Sequence, residues 1–176
     1  MVLTHQEITQ LVKDKSISRP NSEPVLDSIS VTLHLGNQFA HYQASPTEPF
    51  VPPMEMPLSR VTLDRPEDGY VLQPNGTVLA SSEEIITMPL NLMGLMQTRS
   101  SLARGFLMAH PCAGHIEPGY KGVVTFELVN FSNFHYKLIP GMPIAKLFFM
   151  KLAAEATLGY QGRYQNSTGP MGMKSR

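Results

Sequence analysis

Apolar and polar positions change their spacing repeatedly along the chain, and the changes mark short elements. Thr4-His5-Gln6-Glu7 has the form of a capping box, with Ile8, Leu11 and Val12 falling on one helical face. This predicts a short N-terminal helix ending near Lys15. From Asp27 to Gly36 the pattern switches to strict alternation. Ile29, Val31, Leu33 and Leu35 share one face, and Ser30, Thr32 and His34 the other, as in a half-buried strand.

From Ala44 to Pro57 the chain is rich in Pro, Ser and Met and reads as an irregular excursion. Tyr70–Leu72 and Thr77–Ala80 flank Pro74-Asn75-Gly76, a hairpin signal in which Asn-Gly supplies the positive φ angles. Glu84–Met88, Lys121–Asn130 and Ile144–Met150 read as strands, Ile139–Met142 as a turn, and Ser100–Leu107 as a helical turn or two. Gly159–Arg176, rich in Gly, Gln, Asn and Ser, reads as a mobile tail.

Residues 1–176 are expected to form one mostly-β domain. The fifteen prolines and thirteen glycines favour many short strands over long helices. Sandwich, jelly roll and barrel all fit this pattern.

Composition narrows the function. Lys plus Arg equals Asp plus Glu at 14 each, and no basic stripe appears, so polymeric nucleic acid is not the expected partner. No apolar run reaches membrane-spanning length, and no signal-peptide pattern opens the chain. The single cysteine, Cys112, rules out a disulfide framework within the chain and fits a reducing cytoplasm. It also rules out the His-x-Glu/Pro-Cys-x-x-Cys signature of zinc deaminases. Phosphate-binding loops of the Walker type and dinucleotide fingerprints are missing too.

Three segments carry candidate chemistry. Glu127 lies mid-strand with Val123, Thr125 and Val129 on its face. Burial there would raise its pKa toward the range useful to a general acid/base, although an exposed strand glutamate has the same pattern. Arg99-Ser100-Ser101-Leu102-Ala103-Arg104 sets two hydroxyls and two guanidiniums around a helical turn. That is a phosphate cradle or a plain serine cap. Ala113–Gly122 combines tight-turn residues with an acid, Glu117, and an aromatic, Tyr120. Such a turn brings backbone close to a ligand or simply closes a hairpin.

Taken in order, five segments resemble the trimeric dCTP deaminase/dUTPase superfamily: Leu26–Gly36, Val78–Glu84, Arg99–Arg104, Ile139–Ala145 and Gly162–Gln165. The resemblance implies a distorted jelly-roll, dUTPase-like β-barrel with a short N-terminal helix and a C-terminal arm over residues 159–176. It implies a homotrimer with active sites between subunits. Glu127 would handle protons while water attacks C4 of cytosine. Ser100 and Arg104 would hold the water and the base, and Ala113 would offer its backbone carbonyl to the amino group. Arg99, Ser101, Glu117, Tyr120, Arg163, Tyr164 and Gln165 would contact the sugar and phosphates. No catalytic zinc is implied; Mg2+ would accompany the triphosphate.

Within that superfamily, Glu127 favours deamination of dCTP to dUTP over dUTP pyrophosphate hydrolysis, where its position is usually apolar. The alternatives are a dUTPase or bifunctional enzyme, and a non-catalytic nucleotide-binding trimer. Several residues depart from the family pattern: Thr98 for Gly, Gly105-Phe106 after the central motif, Cys112, His115, Glu117 for Asp, and Asn166–Gly169 in the arm. These departures point to an altered substrate, such as dCMP or a 5-substituted dCTP.

Overall fold

A computed structural model describes residues 1–43 and 61–173; the predicted irregular excursion, residues 44 to 57, lies outside them. The capping box forms as expected. Thr4 donates its backbone N–H and its hydroxyl to Glu7, each at 2.9 Å, and opens helix α1, His5–Lys13. The helix ends two residues before the expected Lys15, which adopts φ 58°. Ser16 N–H then bonds back to Leu11 at 2.8 Å, as in a left-handed C-terminal closure. Lys151 also reaches Glu7, at 2.6 Å, and pins the helix to the last strand.

The strands follow in chain order: β1 Ile17–Ser18, β2 Val25–Leu26, β3 Val31–Tyr42, β4 Val61–Asp64, β5 Tyr70–Leu72, β6 Thr77–Thr87 and β7 Leu92–Thr98. After helix α2, Ser100–Ala103, come β8 Leu107–Met108, β9 His115–Ile116, β10 Lys121–Asn130, β11 Tyr136–Leu138 and β12 Pro143–Lys151. Among the described residues ten strands form one curled antiparallel sheet in the order β8-β10-β6-β3-β12-β7-β9, with β1, β2 and β4 pairing at its flanks. Phe39, Phe126, Phe149, Leu33, Leu35 and Ile86 fill its core. Truncating one of those rings to alanine costs about 3–5 kcal/mol through lost transfer energy and an unfilled cavity.

Three expectations change. The alternating strand begins at Val31, and both of its faces are covered. Ser30, Thr32 and His34 are buried, while Ile29 is exposed. A curled sheet flanked by extra strands leaves no water-facing side there. Secondly, the Pro74-Asn75-Gly76 turn forms, with Asn75 at φ 57° and Gly76 N–H on Gln73 at 3.0 Å, yet β5 and β6 do not pair as a hairpin. β5 pairs with β11, and β6 enters the main sheet. The Asn130 amide bridges this gap through Gln73 and Phe134 carbonyls at 2.9 and 2.7 Å. Thirdly, the Glu84–Met88 strand is the end of one long β6. The strand β10, Lys121–Asn130, has the predicted bounds.

Residues 159–173, read from composition as a mobile tail, are docked. Ser167 forms a parallel bridge with Gly122. Asn166 N–H donates to Lys121 at 2.7 Å, and Val123 N–H donates to Ser167 at 3.0 Å. Polar backbone and side-chain amides hold this segment, so its low hydrophobicity did not reveal the docking.

Candidate active site

β10 alternates between buried residues (Phe126, Leu128, Asn130) and half-buried ones (Thr125, Glu127, Val129). The half-buried face looks into a cavity of about 620 Å3, on whose wall Glu127 stands beside its register partner Leu79. The Glu127 N–H is tied to the Ala109 carbonyl at 2.8 Å. Among the described residues its carboxylate forms no ion pair, whereas the buried Glu84 is paired. An unpaired, half-buried carboxylate on a cavity wall is available to a ligand.

A second part of the lining is the turn from Ala113 to Tyr120. Its first part is held by β9 against β7, with Gly94 facing Ile116. Met96 N–H bonds to Gly114 at 2.6 Å. Ala113, His115, Glu117 and Tyr120 all line the cavity. Gly119, at φ 79°, lets the tail approach: a Cβ there would meet Gly159 Cα at 2.7 Å.

The tail supplies the third wall through Tyr160, Tyr164, Met171 and Met173. Tyr120 Oη, Ser167 Oγ and the Val123 carbonyl lie together, at 2.5 Å for Tyr120 to Val123 and 2.7 Å for the other two contacts. Two hydroxyl protons serve three contacts, so at least one hydroxyl donates to the carbonyl. Burial pushes the Tyr120 phenol above its ordinary range; the Ser167 hydroxyl opposes this and Tyr160 adds to it.

The sequence-predicted residues divide into groups. Glu127, Ala113, Glu117, Tyr120 and Tyr164 meet in the cavity. Gln165 belongs to the docking: its Oε1 accepts from Lys121 N–H at 2.7 Å, and its Nε2 donates to Gly119 and Tyr160 carbonyls at 2.9 and 3.1 Å. Arg163 is exposed and lies off the cavity lining.

Ser100 and Ser101 on the short helix α2, and Arg99 and Arg104 at its two caps, stand apart, and none of them lines the cavity. The cap position is Arg99, not a serine, no side chain caps the helix, and among the described residues neither serine hydroxyl has a partner. Next to α2, Phe106, Phe131 and Phe134 are 62%, 59% and 61% exposed. Three exposed rings on one flank are more apolar surface than scattered exposure leaves.

Tyr42, Leu79, Met171 and Met173 also line the cavity and were not foreseen. Thr125, which shares the Glu127 face in the sequence, could have been. The others arrive by long-range register or tail docking and leave no local signal. Among the described residues no three His, Cys, Asp or Glu side chains group to hold a metal ion.

A curled antiparallel sheet with this strand order, an acid-lined cavity and a docked tail is a dUTPase-like fold. The dCTP deaminase of Agrobacterium tumefaciens superposes with a TM-score of 0.68 at 19% identity, over 84% of this chain and 47% of that longer chain. The EIAV dUTPase gives 0.53 at 15% identity, over 84% of this chain and 97% of its own.

A family profile described as dCTP deaminase-like matches residues 2–152, and the chain belongs to that family of hydrolytic enzymes. A relative from Dictyoglomus thermophilum is 30% identical over 97% of this chain and 92% of its own. One from Streptomyces griseus is 33% identical over 89% and 85%. Both relatives are named dCTP deaminase, dUMP-forming.

Proposed function

We propose that the protein hydrolytically deaminates a deoxycytidine nucleotide, with dCTP as the substrate. The observation that carries this reading is Glu127, whose carboxylate forms no ion pair among the described residues and which lines one cavity together with Ala113. In this reading the carboxylate takes a proton from water as the water oxygen bonds to C4, and passes it to ring N3. It then moves the second water proton to the amino nitrogen, the C4–N bond breaks, and ammonia leaves. One carboxylate serves both transfers. The Ala113 backbone carbonyl orients the amino group.

Ser100 and Arg104 are assigned to the water and base, and Arg99 and Ser101 to phosphate. In one chain they lie away from the cavity, so they act on the cavity of a neighbouring copy. The exposed Phe106, Phe131 and Phe134 beside α2 suit a covered face. A closed homotrimer, with each α2 entering the next subunit's cavity, meets both needs. Tyr120 and Glu117 flank the sugar, and the tail with Tyr164 and Arg163 closes on the phosphates. Mg2+ is assigned to the triphosphate, which brings its own oxygen ligands. The reading uses no resident zinc and places the enzyme in the cytoplasm.

The relatives' names favour a reaction that continues to dUMP, and a second carboxylate, Glu117, lines the same cavity. Pyrophosphate release would then follow deamination. His115 in the lining keeps dCMP and 5-methyl-dCTP open as substrates.

The test is incubation with dCTP and magnesium, with and without a zinc-selective chelator, following ammonia and the nucleotides by chromatography. Ammonia with dUMP and pyrophosphate supports the continued reaction, and ammonia with dUTP the simple deaminase. No ammonia from any of the three cytidine nucleotides overturns the reading.

A further inference from the structure

Strands β6 and β10 do not keep one register. Val123 faces Ile85, and the next pair is Thr125 with Ser81. One residue of β10, Val124, therefore lies opposite three of β6: Ser82, Glu83 and Glu84. The extra residues belong to β6, and Val124, which faces them, sits three residues before Glu127 on β10. Val124 and Thr125 both line the cavity, although neighbours on a regular strand face opposite sides. Bulges re-aim side chains in this way.

The Ser82 hydroxyl closes the bulge. Ser82 is 2% exposed. It donates to the Glu84 carbonyl at 2.7 Å and accepts the Val124 N–H at 2.9 Å. Glu84 is itself fixed, because its buried carboxylate accepts the His34 backbone N–H at 2.8 Å and lies 2.7 Å from His34 Nδ1. Arg19 Nε stands 3.6 Å from it. The hydroxyl thus links a rigid polar cluster to the strand that bears the acid.

We propose that Ser82 is a positioning residue for the reaction: by holding the Val124 main chain it sets where the Glu127 carboxylate stands against the bound base. The inference rests on the role given to Glu127 above. Ser82 lines no part of the cavity. Without the hydroxyl, a buried N–H and a buried carbonyl lose their partners. The local relief is a flattening of the bulge. Because the Glu127 N–H stays anchored on Ala109, that movement rotates the segment between the two anchors.

The test compares Ser82→Ala and Ser82→Thr with the unsubstituted protein in ammonia release from dCTP. Displacing a reacting group by an ångström costs about a hundredfold. For S82A, kcat should fall about tenfold to a hundredfold with KM changed less than about threefold, and the pH profile of kcat should shift. S82T should restore both. A lowered Tm with kcat and pH profile unchanged shows a merely structural hydroxyl and overturns the proposal. If S82A does not fold, S82C is judged by the same readouts. An inactive parent defeats the functional reading and this role with it; an active parent with an indifferent S82A defeats the role alone.

Discussion

Ser167 and Gly122 lie in parallel register, and Gly122 has room for no side chain. A Cβ on Gly122 would stand 2.6 Å from Ser167 Oγ and 2.7 Å from Ser167 N, and its φ of 144° is one that other residues rarely adopt. The docking of the tail therefore depends on this glycine. Gly122→Ala should undock residues 159–173 and leave the sheet folded. The expected outcome is rapid proteolytic cleavage after residue 158 and a raised KM for dCTP, with far-UV circular dichroism unchanged. A variant whose tail stays as protected as the parent's would refute the latch.

The Glu127 carboxylate stands on the cavity wall with no ion pair among the described residues, and glutamine has the same shape. Glu127→Gln removes the proposed proton acceptor and leaves the packing. It should lower ammonia release about a hundredfold to ten-thousandfold. Tm should move little, since no ion pair is broken. Ammonia release within tenfold of the parent would remove the proton shuttle from Glu127.

Both the strand bearing that residue and the capping box at Thr4 were legible because their signals are local: a run of β-branched and aromatic residues and a four-residue motif. The partners of His34 and Glu84 were not, since fifty residues separate them and each reads as a polar surface position. β7 went unread because Leu92-Met93-Gly94-Leu95-Met96 lacks the β-branched residues that mark strands. At the site, alternation singled out Glu127, and the motif from Arg99 to Arg104 stood out by composition. That the two lie apart in one chain is a property of the sheet's closure, which no local pattern encodes.

The contact between Glu7 and Lys151 joins the N-terminal helix to the last strand at 2.6 Å. The Lys151 ammonium, with the Thr4 N–H and hydroxyl, holds the Glu7 carboxyl down at about 2. A depressed folded-state pKa adds stability above the unfolded value, near 4.3, and that stability is lost as pH falls toward the folded value. Glu7→Gln should therefore lower Tm at neutral pH. The gap between variant and parent should close as pH falls below about 4. A gap that stays constant down to pH 2 would show that Glu7 acts through the cap geometry and not its charge. Because the pair is exposed, high salt should narrow the gap as well.

Subunit mixing tests the separation of α2 from the cavity. If Arg104 of one copy serves Glu127 of the next, Arg104→Ala and Glu127→Gln are each inactive for different reasons. Denaturing them together and refolding lets mixed assemblies form, with three chains each in the proposed trimer. Random assortment places an intact Arg104 against an intact Glu127 at one interface in four, so about a quarter of the parent activity should return. Each variant refolded alone should stay inactive, which excludes recovery by refolding itself. If both residues served the cavity of their own chain, no mixture could join them, and activity would stay at the level of the two variants. A return near a quarter would place the Arg104 end of α2 at the neighbouring cavity, and the same mixing with Ser100→Ala in place of Arg104→Ala extends the test to the helix itself.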